Sequence, residues 1–143
     1  MSTPNQSTSD SDQASKGLIL IADDHEELLQ AMHEFLEQQG YTVISAEDGK
    51  RALAALRACP HPPDLIIADG IMPQMSGWDL VLEVRKEPTW KCIPILFMTV
   101  LDGPDFFKLS EMAGGVWPFP KPFNADQLLR GIEDALARSR ASS

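Results

Sequence analysis

Strand-like and helix-like periodicities take turns five times along this chain. Four apolar runs mark strands: Leu18-Ile19-Leu20-Ile21-Ala22, Leu65-Ile66-Ile67-Ala68, Ile93-Pro94-Ile95-Leu96-Phe97-Met98 and Val116-Trp117-Pro118-Phe119. Tyr41-Thr42-Val43-Ile44-Ser45 makes a short fifth, second in chain order. Between the runs lie amphipathic segments. The first, 25–39, sets Leu28, Met32, Phe35 and Leu36 on one face and stops at Gly40. Further helices are predicted at 49–58, 78–86, about 104–113 and 124 to about 138, with Asn124 as N-cap of the last. Its core face is Leu128, Leu129, Ile132, Ala135 and Leu136. Such alternation is the pattern of a βαβ domain with a parallel sheet, an α/β fold.

The residue types at the ends of these runs are as informative as the runs themselves. Asp23-Asp24, Asp69, Thr99 and Lys121 each stand just past a strand. In a parallel α/β sheet the carboxyl ends of the strands converge on one crevice. The convergence would collect three carboxylates, a hydroxyl and an ammonium. Clustered carboxylates repel one another and raise each other's pKa unless a cation lies among them. Mg²⁺ suits such a site, since it takes oxygen ligands, keeps several waters and commonly pairs carboxylates with a phosphate. Taken singly, each residue has a plainer reading. Asp23 or Asp24 could cap a helix, Thr99 could be a buried strand threonine and Lys121 a solvated lysine. His25 beside the acidic pair is read as a solvent-facing first-turn residue, because Mg²⁺ rarely takes imidazole.

Composition narrows the classes further. With 143 residues the chain has room for one domain, expected at 17–140, flanked by tails at 1–16 and 141–143. The first 16 residues are polar and lack the apolar segment of a signal peptide. No run is long enough to cross a membrane. A net charge of −9 offers no basic patch for nucleic acid. Cys59 and Cys92 have no metal-ligand or redox spacing, so reduced thiols in the cytoplasm are expected.

The ordered set Asp23-Asp24, Asp69 with Met72-Pro73 and Ser76-Gly77, Met98-Thr99, and Lys121-Pro122-Phe123 resembles the response-regulator receiver domain of two-component signalling, from Leu18 to about Arg138. The resemblance implies a flavodoxin-like, doubly wound (βα)5 sheet in the order 2-1-3-4-5, an order inferred from the family. It implies Asp69 as phosphoacceptor, with Mg²⁺ on Asp24, Asp69 and the main-chain carbonyl of Ile71, and Asp23 acting through a water. Thr99 and Lys121 would contact the phosphate, and Lys121–Pro122 is a candidate cis peptide. A sensor histidine kinase or phosphotransfer protein would supply the phosphoryl group. Output would be protein binding on the face of the 104–113 helix, the fifth strand and the last helix, with a homodimer as a further option. No independent substrate would be turned over.

Three departures stand out. Gly70 follows Asp69 where the family usually has a larger residue, adding backbone freedom there. Pro118 occupies the usual position of a switch aromatic, three residues before Lys121, so either Trp117 or Phe119 substitutes after a register shift or signalling uses loop rearrangement alone. With Pro120, it forbids regular ladder bonds and implies an edge or irregular strand. Ile71 and Leu101 are apolar where they would flank an attacking water, so a long-lived phosphorylated form is expected. The alternative reading is a pseudo-receiver that binds proteins without phosphorylation. An Asp-nucleophile phosphatase would need a second acid where Ile71 stands, and a flavin site would need a Ser/Thr/Gly-rich first loop in place of Ala22-Asp23-Asp24-His25.

Overall fold

A computed structural model of the chain describes residues 15–99 and 115–142. The helix predicted at 104–113 and Leu101 lie outside the described residues. The strands are β1 (Leu18–Ala22), β2 (Thr42–Ala46), β3 (Leu65–Asp69), β4 (Ile95–Thr99) and β5 (Val116–Pro120). The described helices are α1 (Glu26–Gln38), α2 (Gly49–Ala58), α3 (Gly77–Lys86) and α4 (Ala125–Ser142). All neighbouring strands run parallel, in the order β2-β1-β3-β4-β5.

Successive side chains of a strand point to opposite faces, so an uninterrupted apolar run needs cover on both. Two core clusters provide it. Leu20, Ala22, Ile66, Ala68, Ile95, Phe97 and Val116 pack with Ala52, Leu53 and Leu56 of α2 and Leu80, Val81 and Val84 of α3. The alternating set, Ile19, Ile21, Leu65, Ile67, Leu96, Met98 and Phe119, packs with α1 and α4. On α1 the buried row is Leu29, Met32 and Leu36, whereas Leu28 and Phe35 are only half-buried. The sheet-facing stripe is therefore rotated towards Leu29, and Leu28 and Phe35, expected in the core, flank it. Gly40 ends that helix region with φ 100°, a left-handed conformation that glycine reaches without a Cβ clash. Asn124 caps α4 reciprocally. Its Oδ1 accepts from the Gln127 N–H at 2.8 Å, and its own N–H donates to Gln127 Oε1 at 2.8 Å.

The two prolines of β5 cost the ladder less than their sequence implies. β5 is an edge strand, one of the two outcomes its prolines imply, and it pairs with β4 through all five positions, Ile95↔Val116 to Thr99↔Pro120. Ile95 N–H donates to Gly115 O at 2.9 Å. In a parallel pair with that register, residues 115, 117 and 119 direct their backbone groups at β4. Pro118 and Pro120 therefore fall on the alternate, outward positions, where their missing N–H groups would have faced the free edge. The same placement blunts the edge against pairing with another strand.

The loop from β3 to α3 is closed by backbone-to-backbone approach. Ser76 caps α3, its Oγ accepting from Asp79 N–H at 3.1 Å. Gly77 N–H donates to Gly70 O at 3.2 Å, and Gly49 N–H at the start of α2 donates to Met75 O at 3.2 Å. A Cβ on Gly77 would lie 2.0 Å from the Asp69 carbonyl oxygen, and one on Gly49 2.3 Å from that of Met75. Neither of these oxygens belongs to a side chain that can swing away. Gly77→Ala is therefore expected to lower unfolding free energy by at least about 2 kcal/mol in urea titration, the scale of forced overpacking. A variant as stable as the parent would show that the loop relaxes freely.

Candidate functional site

The parallel sheet brings the strand ends together as its topology requires. Asp23 and Asp24 follow β1, Asp69 is the last residue of β3, Thr99 is the last of β4, and Lys121 follows β5. Carboxylate oxygens of Asp23, Asp24 and Asp69 all lie within 4.8 Å of one another. Asp23 is fully buried, Asp24 exposed and Asp69 between them. Thr99 has its backbone at the same end of the sheet; its side chain lies outside the described residues.

Each oxygen of Asp23 has a separate partner. Oδ1 accepts from the His25 N–H at 2.8 Å, holding the chain where it enters α1. Oδ2 lies 3.3 Å from the Lys121 ammonium. Lys121 Nζ is also 3.3 Å from Asp69 Oδ1, so one cation bridges carboxylates from β1 and β3. The Lys121–Pro122 peptide bond is cis. His25 is exposed at the N-cap of α1 and supplies no side-chain cap.

The Asp69 carboxyl is held above the ordinary carboxylate range. Burial is the largest cause, and the Asp23 charge adds to it. Lys121 pulls the other way by charge and hydrogen bond, and Asp24 contributes a smaller upward push. One ammonium thus does not fully offset the cost of gathering these acids. Oxygen donors from three carboxylates, at this spacing and with an unbalanced negative charge, fit a hard divalent cation such as Mg²⁺.

Gly70 owes its place to space. Its φ is not positive, unlike Gly17, Gly40 and Gly115, so the backbone conformation there does not call for glycine. A Cβ would meet the Phe97 ring, at 3.0 Å from Cε1 and 3.1 Å from Cζ. The expected gain in backbone freedom is replaced by a steric reason that only the contact with β4 reveals. On β5, Phe119 is buried against Phe123, ring centroids 4.9 Å apart, and Trp117 is half-buried on the same sheet face. Pro118 is exposed and alternates to the opposite face. Ile71 is 72% exposed beside the site.

A doubly wound parallel sheet with an acidic crevice and a bridging lysine at its carboxyl edge defines a class of acid-pocket α/β domains. Within that class the chain belongs to the response regulator receiver domain family, whose model matches residues 19–133. It is thus a receiver domain of two-component signalling. It is 34% identical over 128 residues to the transcriptional regulatory protein KdpE of Mycobacterium tuberculosis, covering 88% of this chain and 54% of that protein. The chain spans about half the length of that curated relative. The chemotaxis response regulator CheY4 of Vibrio cholerae superposes with a TM-score of 0.76 at 32% identity, covering 82% of this chain and 97% of CheY4. A CheY-like receiver domain protein from Methanospirillum hungatei gives 0.78 at 25% identity, covering 88% and 98%.

The raised Asp69 pKa has a definite stability sign. A carboxyl whose folded pKa lies above its unfolded value favours folding while protonated, and that advantage is lost as pH rises through the folded pKa. Asp69→Asn is therefore expected to raise the melting temperature in chelator at neutral pH by a few degrees, on the order of 1 kcal/mol. The gain should shrink as pH falls into the range where the wild-type carboxyl is protonated. A gain that grows on acidification would contradict the assignment.

Proposed function

We propose that Asp69 accepts a phosphoryl group from a histidine kinase or phosphotransfer protein and that the phosphorylated form signals by binding another protein. The observation that carries this reading is the Lys121 ammonium shared at 3.3 Å by Asp69 and the buried Asp23. A carboxylate oxygen of Asp69 attacks phosphorus, the donor's bond to phosphorus breaks with its electron pair leaving on the donor, and an acyl phosphate forms. Phosphoryl transfer depends mostly on alignment and charge neutralisation. Lys121, 3.3 Å from Asp69 Oδ1, would neutralise charge on one side of the transferring group.

Asp24, Asp69 and the Ile71 carbonyl would hold Mg²⁺, with Asp23 acting through a water. Bound there, Mg²⁺ would neutralise phosphate charge and orient the transferring group. Thr99 would donate a hydroxyl hydrogen bond to the new phosphate. The domain would occupy 17–140, act in the cytoplasm and turn over no independent substrate. Its output face would include β5, which carries the half-buried Trp117, and α4. With a net charge of −9, a protein surface rather than nucleic acid is the expected partner.

The test is exposure of the full chain to Mg²⁺ and a small phosphodonor such as acetyl phosphate, followed by intact-mass measurement. Wild type is expected to gain one phosphoryl group and Asp69→Asn none. Lys121→Ala should label roughly 100-fold more slowly, the scale of removing one positioned charge donor. An adduct surviving Asp69→Asn would identify another acceptor. No adduct on wild type would leave a phosphorylation-independent binding module. Once labelled, the wild-type adduct should persist after donor removal, because the exposed Ile71 side chain cannot orient an attacking water. Rapid spontaneous loss would overturn that lifetime.

A further inference from the structure

We propose that Phe97 is a positioning residue for the acceptor loop, its buried ring fixing the backbone on which Asp69 and Ile71 are carried. The proposal rests on the phosphoacceptor reading of Asp69 and deepens it. Phe97 is 4% exposed and sits in the middle of β4, paired with Ala68 of β3 on one side and Pro118 of β5 on the other. Its Cε1 and Cζ approach Gly70 so closely that a methyl group there would have to displace them. From another direction the ring meets Trp78 of α3 edge-on, with centroids 5.8 Å apart and planes at 83°. A ring held by Trp78 and buried in the α2/α3 core cannot retreat freely from position 70.

The surrounding backbone explains why that contact matters for chemistry. Gly70 N–H donates to Met98 O at 2.9 Å, tying it to β4, while Gly70 O accepts from Gly77 N–H at 3.2 Å, tying it to α3. Gly77 in turn approaches the Asp69 carbonyl so closely that a Cβ there would meet its oxygen. The residue between the acceptor and Ile71 is thus fixed by two backbone bonds and by one aromatic ring. A displacement of a few tenths of an ångström at Gly70 is passed directly to Asp69 and Ile71, its covalent neighbours. Reaction rates at a positioned centre fall steeply with such displacements. Gly70 and Phe97 therefore form a complementary small–large pair: bulk that the loop lacks is supplied from the adjacent strand.

A double-mutant cycle tests this in the full chain. Gly70→Ala is expected to slow Mg²⁺-dependent labelling by acetyl phosphate roughly tenfold, because its Cβ pushes against the ring. Phe97→Leu should slow it about threefold, and the double variant should be no slower than Phe97→Leu, since a shorter side chain accommodates the methyl group. The same cycle is read without metal or phosphate, as urea unfolding in chelator. There the penalty of Gly70→Ala should largely disappear in the Phe97→Leu background. If a variant fails to fold, Phe97→Met, which keeps bulk but bends, replaces Phe97→Leu. Additive effects in both readouts would overturn the proposal. Coupling in unfolding with additive labelling would reduce the pair to a packing role and also overturn it. If wild type takes up no phosphate, the phosphoacceptor reading fails by itself. The cycle is then completed on the Mg²⁺ concentration needed to raise the melting temperature, where additivity would again overturn the positioning role.

Discussion

Three carboxylates within 4.8 Å of one another make an arrangement that the folded chain must actively hold together. Mutual repulsion and burial both oppose it, and the raised Asp69 pKa records the residual cost. Lys121 is the described counterweight, bridging Asp23 and Asp69 at 3.3 Å. β1 and β3 are adjacent, so their terminal acids meet; β5 stands at the edge, so the segment after it is free to carry Lys121 back over the sheet end. Where attraction and repulsion are this closely opposed, a change of charge on Asp69 alters the balance at three strand ends together.

The core supplies the rigidity that such a balance needs. Alternate residues of every central strand are committed to one of two helical layers, with Leu20 against Ile21 and Ile66 against Ile67 as successive examples. A strand fixed on both faces has little freedom to shift its end residue. The β3–α3 loop is held by contacts of another kind, with Gly77 against the Asp69 carbonyl and Gly49 against that of Met75. Side-chain packing thus fixes the strands, and close backbone approach fixes the loop that leaves the acceptor.

Much of this was legible in the chain itself, for definite reasons. Runs such as Leu65-Ile66-Ile67-Ala68 announce buried strands because their apolar character is continuous, and Asp69 at the end of that run marks the crevice. The strand order matches the one the family resemblance implied. Asp23, Asp24, Asp69 and Lys121 meet because the ends of parallel strands converge on one crevice. Periodicity misplaced the buried stripe of the first helix. Leu28 and Leu29 both fit a helical stripe, and only docking on the sheet chose Leu29. Pro118 and Pro120 implied the edge placement that is observed, and only the register shows that both fall on positions facing the free edge.

Local pattern, written residue by residue, is enough to set the elements and the chemistry at their ends: five apolar strands, amphipathic helices, and acids, a threonine and a lysine at the turns. Which of those groups touch was settled by packing in three dimensions. The folded chain decides which oxygens Lys121 meets, Asp23 Oδ2 and Asp69 Oδ1 at 3.3 Å each, and it places the Phe97 ring in the space left by Gly70. Both are contacts between separate strands and the segments that leave them, fixed by register and packing. No property of glycine or phenylalanine alone reveals that one stands where the other's bulk must go.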